Sequence, residues 1–150
     1  MGAFSDSIKR NINKALVETN SKILAIAEDT FTKAVSFSPV QPSAEYAKGQ
    51  FVNSWYVGIN SVSSEVTTSL DSSGSESLAR IAALRSTLTF LGKDGFVSLS
   101  NSLPYAARVE YLGWPKGTGY SGWAGNWTGQ VGPYAPVRKA SEYASATYNI

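Results

Sequence analysis

Apolar residues return at three- and four-residue intervals through the first quarter of the chain: Ile8, Ile12, Leu16, Thr19, Ile23, Ile26, Thr30 and Ala34. That spacing predicts one long helix over residues 4–36 with a single apolar stripe. Ser5 or Asp6 can cap its start, and the run "SFSPVQP" ends it, because proline brings no N–H to the ladder. Thirty-odd residues at about 1.5 Å each make a rod of about 45 Å. A domain of this size cannot cover such a rod. Part of it is expected to project or to lie against another subunit.

The pattern then changes. Residues 37–48, with Pro39 and Pro42, read as a linker. "GQFVNSWYVGIN", residues 49–60, predicts a strand with large groups on both faces, buried on one side and contacted on the other. "SVSSEVTTSL" predicts a weaker second strand and "DSSGS" a turn. "SESLARIAALRSTLTFL" predicts a helix on which Leu78, Ile81, Ala82 and Arg85 fall one turn apart. A strand follows over 95–100, and Pro104 opens a short helix carrying Tyr105, Arg108, Glu110 and Tyr111. Residues 113–133 hold seven glycines outside any periodic pattern, and helical spacing resumes over 134–150.

The sum is a single α+β domain over 1–150. It comprises the long helix at 4–36, a sheet–helix core at 49–112 built on a small, mostly antiparallel sheet, an aromatic glycine-rich loop at 113–133, and a C-terminal helix at 134–150.

Composition narrows the chemistry. Histidine and cysteine are both absent, which removes Ser-His-Asp triads, Cys-His pairs, imidazole or thiolate metal sites and disulfides. No catalytic residue, cofactor or metal site is expected. The net charge of +2 is no concentrated footprint for phosphate; Lys9, Arg10, Lys14 and Lys22 read as a solvated helix face. Charged residues make up only 16%, and a surface so poor in charge costs little to desolvate, which suits a subunit packed against neighbours. No run approaches a membrane span and the N-terminus lacks the order of a signal peptide. Asp6 stands where a myristoylation motif wants Ser or Thr. The expectation is a soluble protein kept in the cytoplasm until it is assembled.

Three motifs mislead. "GTGYSG" at 117–122 matches a dinucleotide fingerprint but has no strand feeding it and no helix leaving it. "NWT" at 126–128 means nothing without a secretory signal. Glu110 and Glu142 could pair in glycosidase fashion, but Glu110 lies near Arg108 and near Arg138 or Lys139, partners that lower a carboxyl pKa where a general acid needs it raised. Tyr105, Tyr111, Trp114, Tyr120, Trp123, Trp127 and Tyr134 are too many aromatics for one glycine-rich segment to wrap around a core. Tyr and Trp are the residues most enriched at interface hot spots. A carbohydrate-binding or lytic domain using the aromatic loop is the alternative from another class.

"NSLPYAARVEY" (Asn101, Leu103, Pro104, Tyr105, Ala106, Arg108, Glu110, Tyr111), followed later by "APVR" (Ala135, Pro136, Val137, Arg138), resembles the neck or tail-completion proteins of long-tailed bacteriophages. Upstream, Gly49, Phe51, Asn53 and Ser54 resemble that family's Gly-x-Leu-x-Asn-Ser strand. Lys48 departs from the usual Thr, and the loop at 113–133 is longer and richer in tryptophan than the family's. The resemblance implies a non-enzymatic virion subunit forming a sixfold ring at the head–tail junction. Such a ring would complete or cap the tail tube and dock it to the head-side connector, with DNA passing through the lumen without sequence-specific binding. Its partner surface is expected to include Tyr105, Arg108, Glu110, Tyr111, Trp114, Trp123, Trp127 and Arg138, with Arg108 and Glu110 in fixed polar pairs.

Overall fold

The computed structural model describes residues 2–40, 49–87, 91–92, 94–111, 114–115, 130–131 and 134–150. The chain is α+β: a long N-terminal helix, a small antiparallel sheet and shorter helices packed on it. Helix α1 runs Ala3–Ser36 and ends as expected, with Phe37 closing on Lys33 and Val35 ahead of Pro39. Its start differs from expectation. Gly2 is the N-cap and neither Ser5 nor Asp6 bonds the first turn.

The face of α1 that enters the core overlaps the predicted stripe only at its end, at Ala34. Phe31 and Val35 join the core, and Leu24 and Ala34 are buried. Leu24, Phe31 and Val35, spaced by seven and four, define a side adjoining the Ile8–Ala34 stripe; Ile23 stays 41% exposed. The reason is that the C-terminal half of α1 meets several elements at once, so burial follows where they sit rather than where the isoleucines fall.

Residues 49–60 are not one strand. Helix α2, Gln50–Asn53, is a single turn, and strand β1, Trp55–Ile59, follows it. The turn lets Phe51, Val52 and Asn53 all be buried, which an alternating strand would not allow. β1 pairs antiparallel with β2, Val97–Asn101, in the register Trp55↔Asn101, Val57↔Leu99, Ile59↔Val97. Those pairs share one face, and Trp55, Val57 and Leu99 pack it on the core. Tyr56, Gly58, Ser98 and Ser100 share the other.

Across that second face runs the segment 61–71, which forms no strand. It is a strap tied by side chains. Ser98 and Ser100 donate to the carbonyls of Ser61 and Ser63, Gln50 to that of Thr67 and Asn53 to that of Asp71. Polar side chains replace ladder bonds here, because Val62 and Val66 point to solvent and give a strand no apolar face to bury. Glycine makes the close approach possible. A Cβ at Gly58 would lie 2.3 Å from the Ser61 carbonyl oxygen, and one at Gly49 would lie 2.0 Å from that of Asp71.

After a turn at Gly74 (φ +71) comes helix α3, Ser75–Ala82, continued as a 3-10 turn over Ala83–Ser86. Its buried side is Ser77, Ile81 and Leu84, while Leu78 is 37% exposed, so the inward face is rotated from the expected one. Ser77 accepts the N–H of Trp55, and Arg80 donates to the carbonyls of Asn53 and Trp55 while stacking 3.9 Å over the Tyr56 ring. These bonds cover the edge of β1 where it leaves α2. Helix α4, Ala106–Tyr111, follows a turn at Pro104–Tyr105. Two short strands, β3 (Trp114–Pro115) and β4 (Gln130–Val131), pair antiparallel. Helix α5, Pro136–Tyr148, then lies antiparallel along α1: Lys139 reaches the Phe37 ring, and Tyr143 and Tyr148 both donate to Asp29.

The candidate interaction surface

Pro104 fixes the turn into α4, and the helix then sends its residues in different directions. Tyr105 goes inward, its ring 6.2 Å from that of Phe51, and burial pushes its phenol up to about 12. Val109, one helical turn on, is fully buried. Tyr111 is 73% exposed and Arg108 half-buried. The two tyrosines expected on a partner surface are thus divided: one packs the core and one faces outward.

Glu110 has a role that residue spacing did not reveal. Its carboxylate accepts the backbone N–H groups of Val137 (2.9 Å) and Arg138 (3.0 Å). These are the second and third residues of α5, where helix N–H groups lack partners and the dipole favours an anion. α5 has no side-chain cap of its own. Glu110 supplies one from another helix. Ala135 makes this possible by standing in the left-handed region (φ +47, ψ 52), fully buried ahead of Pro136, a conformation that costs a residue with a Cβ roughly 1–2 kcal/mol. The expected pairing of Glu110 with the Arg138 side chain is therefore replaced by a bond to the Arg138 main chain, and the Arg138 side chain is exposed. No signal short of the tertiary contact could have shown this.

Between β2, α4 and α5 lies a cavity of about 180 Å³, lined by Phe51, Trp55, Leu99, Ala106, Ala107 and Val137 with Asn101 and Glu110. Asn101 is occupied: it donates to the Phe51 carbonyl and accepts the Leu103 N–H. Glu110 is the lone charged group in the lining. Of the other expected interface residues, Trp123 and Trp127 lie outside the described residues, and for Trp114 only the backbone in β3 is described.

A second surface is the N-terminal half of α1. From Gly2 to Ile23 every residue is exposed except the half-exposed Ser5 and Asn20. Phe4 is 80% exposed, and Ile8, Ile12, Leu16 and Ile23 are each more than 40% exposed. The expectation that part of the helix projects is met. The apolar stripe read from the sequence is real on this half, and none of the described residues buries it.

The Asp29 cluster was not anticipated. The hydroxyls of Tyr148 and Tyr143, with Lys33 behind them, hold the Asp29 carboxyl below its ordinary value against the opposing effect of burial, and the bond to Asp29 pushes the Tyr148 phenol up to about 12. It clamps α5 to α1. Tyr143 and Tyr148 are five residues apart, a spacing that offers no helix-face reason to link them.

Among the described residues no group of acidic side chains could hold a metal ion, and no helix is long and apolar enough to cross a membrane. No protein family, curated protein or solved structure matches this chain.

Proposed function

We propose that this chain is a structural subunit of a long-tailed bacteriophage virion, assembled in the host cytoplasm into a ring at the head–tail junction. The ring completes or caps the tail tube and docks it to the connector, and DNA passes through its lumen. The observation that carries the reading is α1: half of a 34-residue helix stands clear of the other described residues with a stripe of large apolar side chains exposed. The largest apolar patch on a protein surface is often the one that binds a partner. The resemblance of the Leu103–Tyr111 and Ala135–Arg138 segments to neck proteins supplies the identity of the assembly, and the absence of histidine and cysteine is in keeping with a non-enzymatic part.

Glu110 as a helix cap also bears on the competing sugar-cleaving role. Both Glu110 oxygens accept main-chain N–H groups of α5, so the carboxylate is spent on fastening a helix rather than turned toward a substrate. Cryo-EM of the virion is the test. Density for this chain in the neck, between portal and tail tube, is the expected result; density elsewhere in the particle, or none, overturns the assignment.

A further inference from the structure

The bare stripe of α1 and the cavity between β2, α4 and α5 are two apolar features of one chain that cannot meet within it. Val35, near the C-terminal end of α1, is part of the core together with Phe51 and Trp55, and the latter two line the cavity. Phe4 is 31 positions earlier on the same unbroken helix, about 45 Å away. Nothing in a continuous helix can bend that span back onto its own domain. Any occupant of the cavity that comes from α1 must come from another molecule.

We infer that the projecting half of α1 docks on the β2–α4–α5 face of a second copy, with one of its large apolar side chains seated in the cavity. Two observations favour this pairing. The first is area. Phe4, Ile8, Ile12, Leu16 and Ile23 together expose roughly 500 Å², within the range of about 300–600 Å² for a monomer's largest patch. Covering it and an equal area of the partner gives about 1,000 Å² in total, the threshold for a specific interface. The second is fit. The cavity of about 180 Å³ equals about six waters at roughly 30 Å³ each, which is space for one large side chain. Val137, 50% exposed, and Tyr111 stand exposed on the two helices beside it and extend its apolar surface.

A projecting knob and a separate receiving cavity make the contact heterologous, so successive copies repeat in one direction and either close into a ring or grow as a chain. This deepens the ring reading by naming its two contacting surfaces, and it rests on that reading only for closure.

The experiment mixes variants of the full chain. Ile8→Asp combined with Phe4→Asp spoils the arm far from the core, and Ala107→Trp fills the cavity mouth from an exposed position. Sedimentation velocity over a concentration series reads the outcome, beside thermal melts confirming that each variant folds. The wild type is expected to associate beyond dimers as concentration rises, and each variant alone to associate at least about tenfold more weakly. An equimolar mixture of the two should recover dimers and stop there, because one variant keeps the cavity and the other the arm. Self-association of Ala107→Trp undiminished from the wild type would mean that arms pair with arms, and would overturn the inference. So would a wild type that stays monomeric at every concentration, including one that binds anionic vesicles through α1 instead. Intact mixing behaviour in a protein absent from the virion neck would sink the proposed function while leaving this contact standing.

Discussion

The two halves of α1 have similar sequences and opposite circumstances. Both carry aliphatic residues at three- and four-residue spacing. Beyond Leu24 the helix is gripped on several sides: Val35 and Phe31 enter the core, Glu28 meets Arg85 of the 3-10 turn, and Asp29 and Lys33 meet α5. Before Leu24 its side-chain bonds among the described residues are local to the helix: the weak Lys14–Glu18 pair at 4.0 Å and the Thr19 hydroxyl on the Ala15 carbonyl. Hydrophobic periodicity alone says that a helix has a face to bury. What buries it is decided by the length of the neighbours, and α5, with 13 residues, spans less than half of α1.

The comparison can be broken or sharpened by measurement, beginning with the largest expected effect. Amide hydrogen exchange should divide the helix. Amides after Leu24 should be protected to near the global stability, about 5 kcal/mol or more, and those of residues 7–19 by no more than about 1–2 kcal/mol, since an isolated helical stretch is marginal in water. Equal protection along the whole helix in a verified monomer would refute the contrast.

Next, Leu24→Ala should cost about 2–3 kcal/mol, the low end for a buried leucine, and lower the Tm by about 6–10 °C. A shift under about 2 °C in calorimetry would show that the grip begins further along.

Asp29→Asn tests the clamp. It should lower stability by about 1 kcal/mol, after allowing for the partial exposure of the site. Because the folded carboxyl lies below its ordinary 3.8, its contribution is present above that value and lost as pH falls through the folded one. Acid unfolding of the wild type should therefore begin below about pH 4, and the variant should lack that component. An identical acid profile in both would remove Asp29 from the account.

The smallest effect is expected from Ile12→Ala. In the monomer it exchanges an exposed isoleucine for a better helix former and should leave the Tm within about 1 °C. A large loss would reveal a contact on the projecting half.

Much of this architecture was legible before the structure. The long helix, its projection, the turn at Gly74, the strand near Val97, the short helix after Pro104 and the last helix all follow from periodicity and from proline and glycine placement. Three features were not legible, each for a physical reason. The α2 turn hid inside an apparent strand because Phe51, Val52 and Asn53 are all buried, which defeats any two-residue alternation. The strap over 61–71 looked like a strand because extended backbone and serine-rich sequence are compatible with one; its bonds go to side chains, and only Gly49 and Gly58 hinted at close approach. Glu110 looked like half of an ion pair because sequence lists its charged neighbours and says nothing of main-chain N–H groups 27 residues away. Tyr105 was expected on the partner surface, and its ring packs instead against Phe51 in the core.

The cap that Glu110 provides has a consequence for chain length. The end of α4 and the start of α5 are fastened to each other directly, and the β3–β4 ladder fastens the chain again just beyond. Whatever lies between residues 115 and 130 is then the inside of a circuit already closed at its neck. The entropy of such a circuit grows only with the logarithm of its length, so doubling it costs about 0.6 kcal/mol. Residues there can be added, removed or exchanged while α5 keeps its seat against α1. A chimaera carrying a different span of twice that length should melt within about 3 °C of the wild type; one that loses the α1–α5 seam would show the circuit to be fastened elsewhere. A chain fastened this way can vary that span with little effect on how it folds.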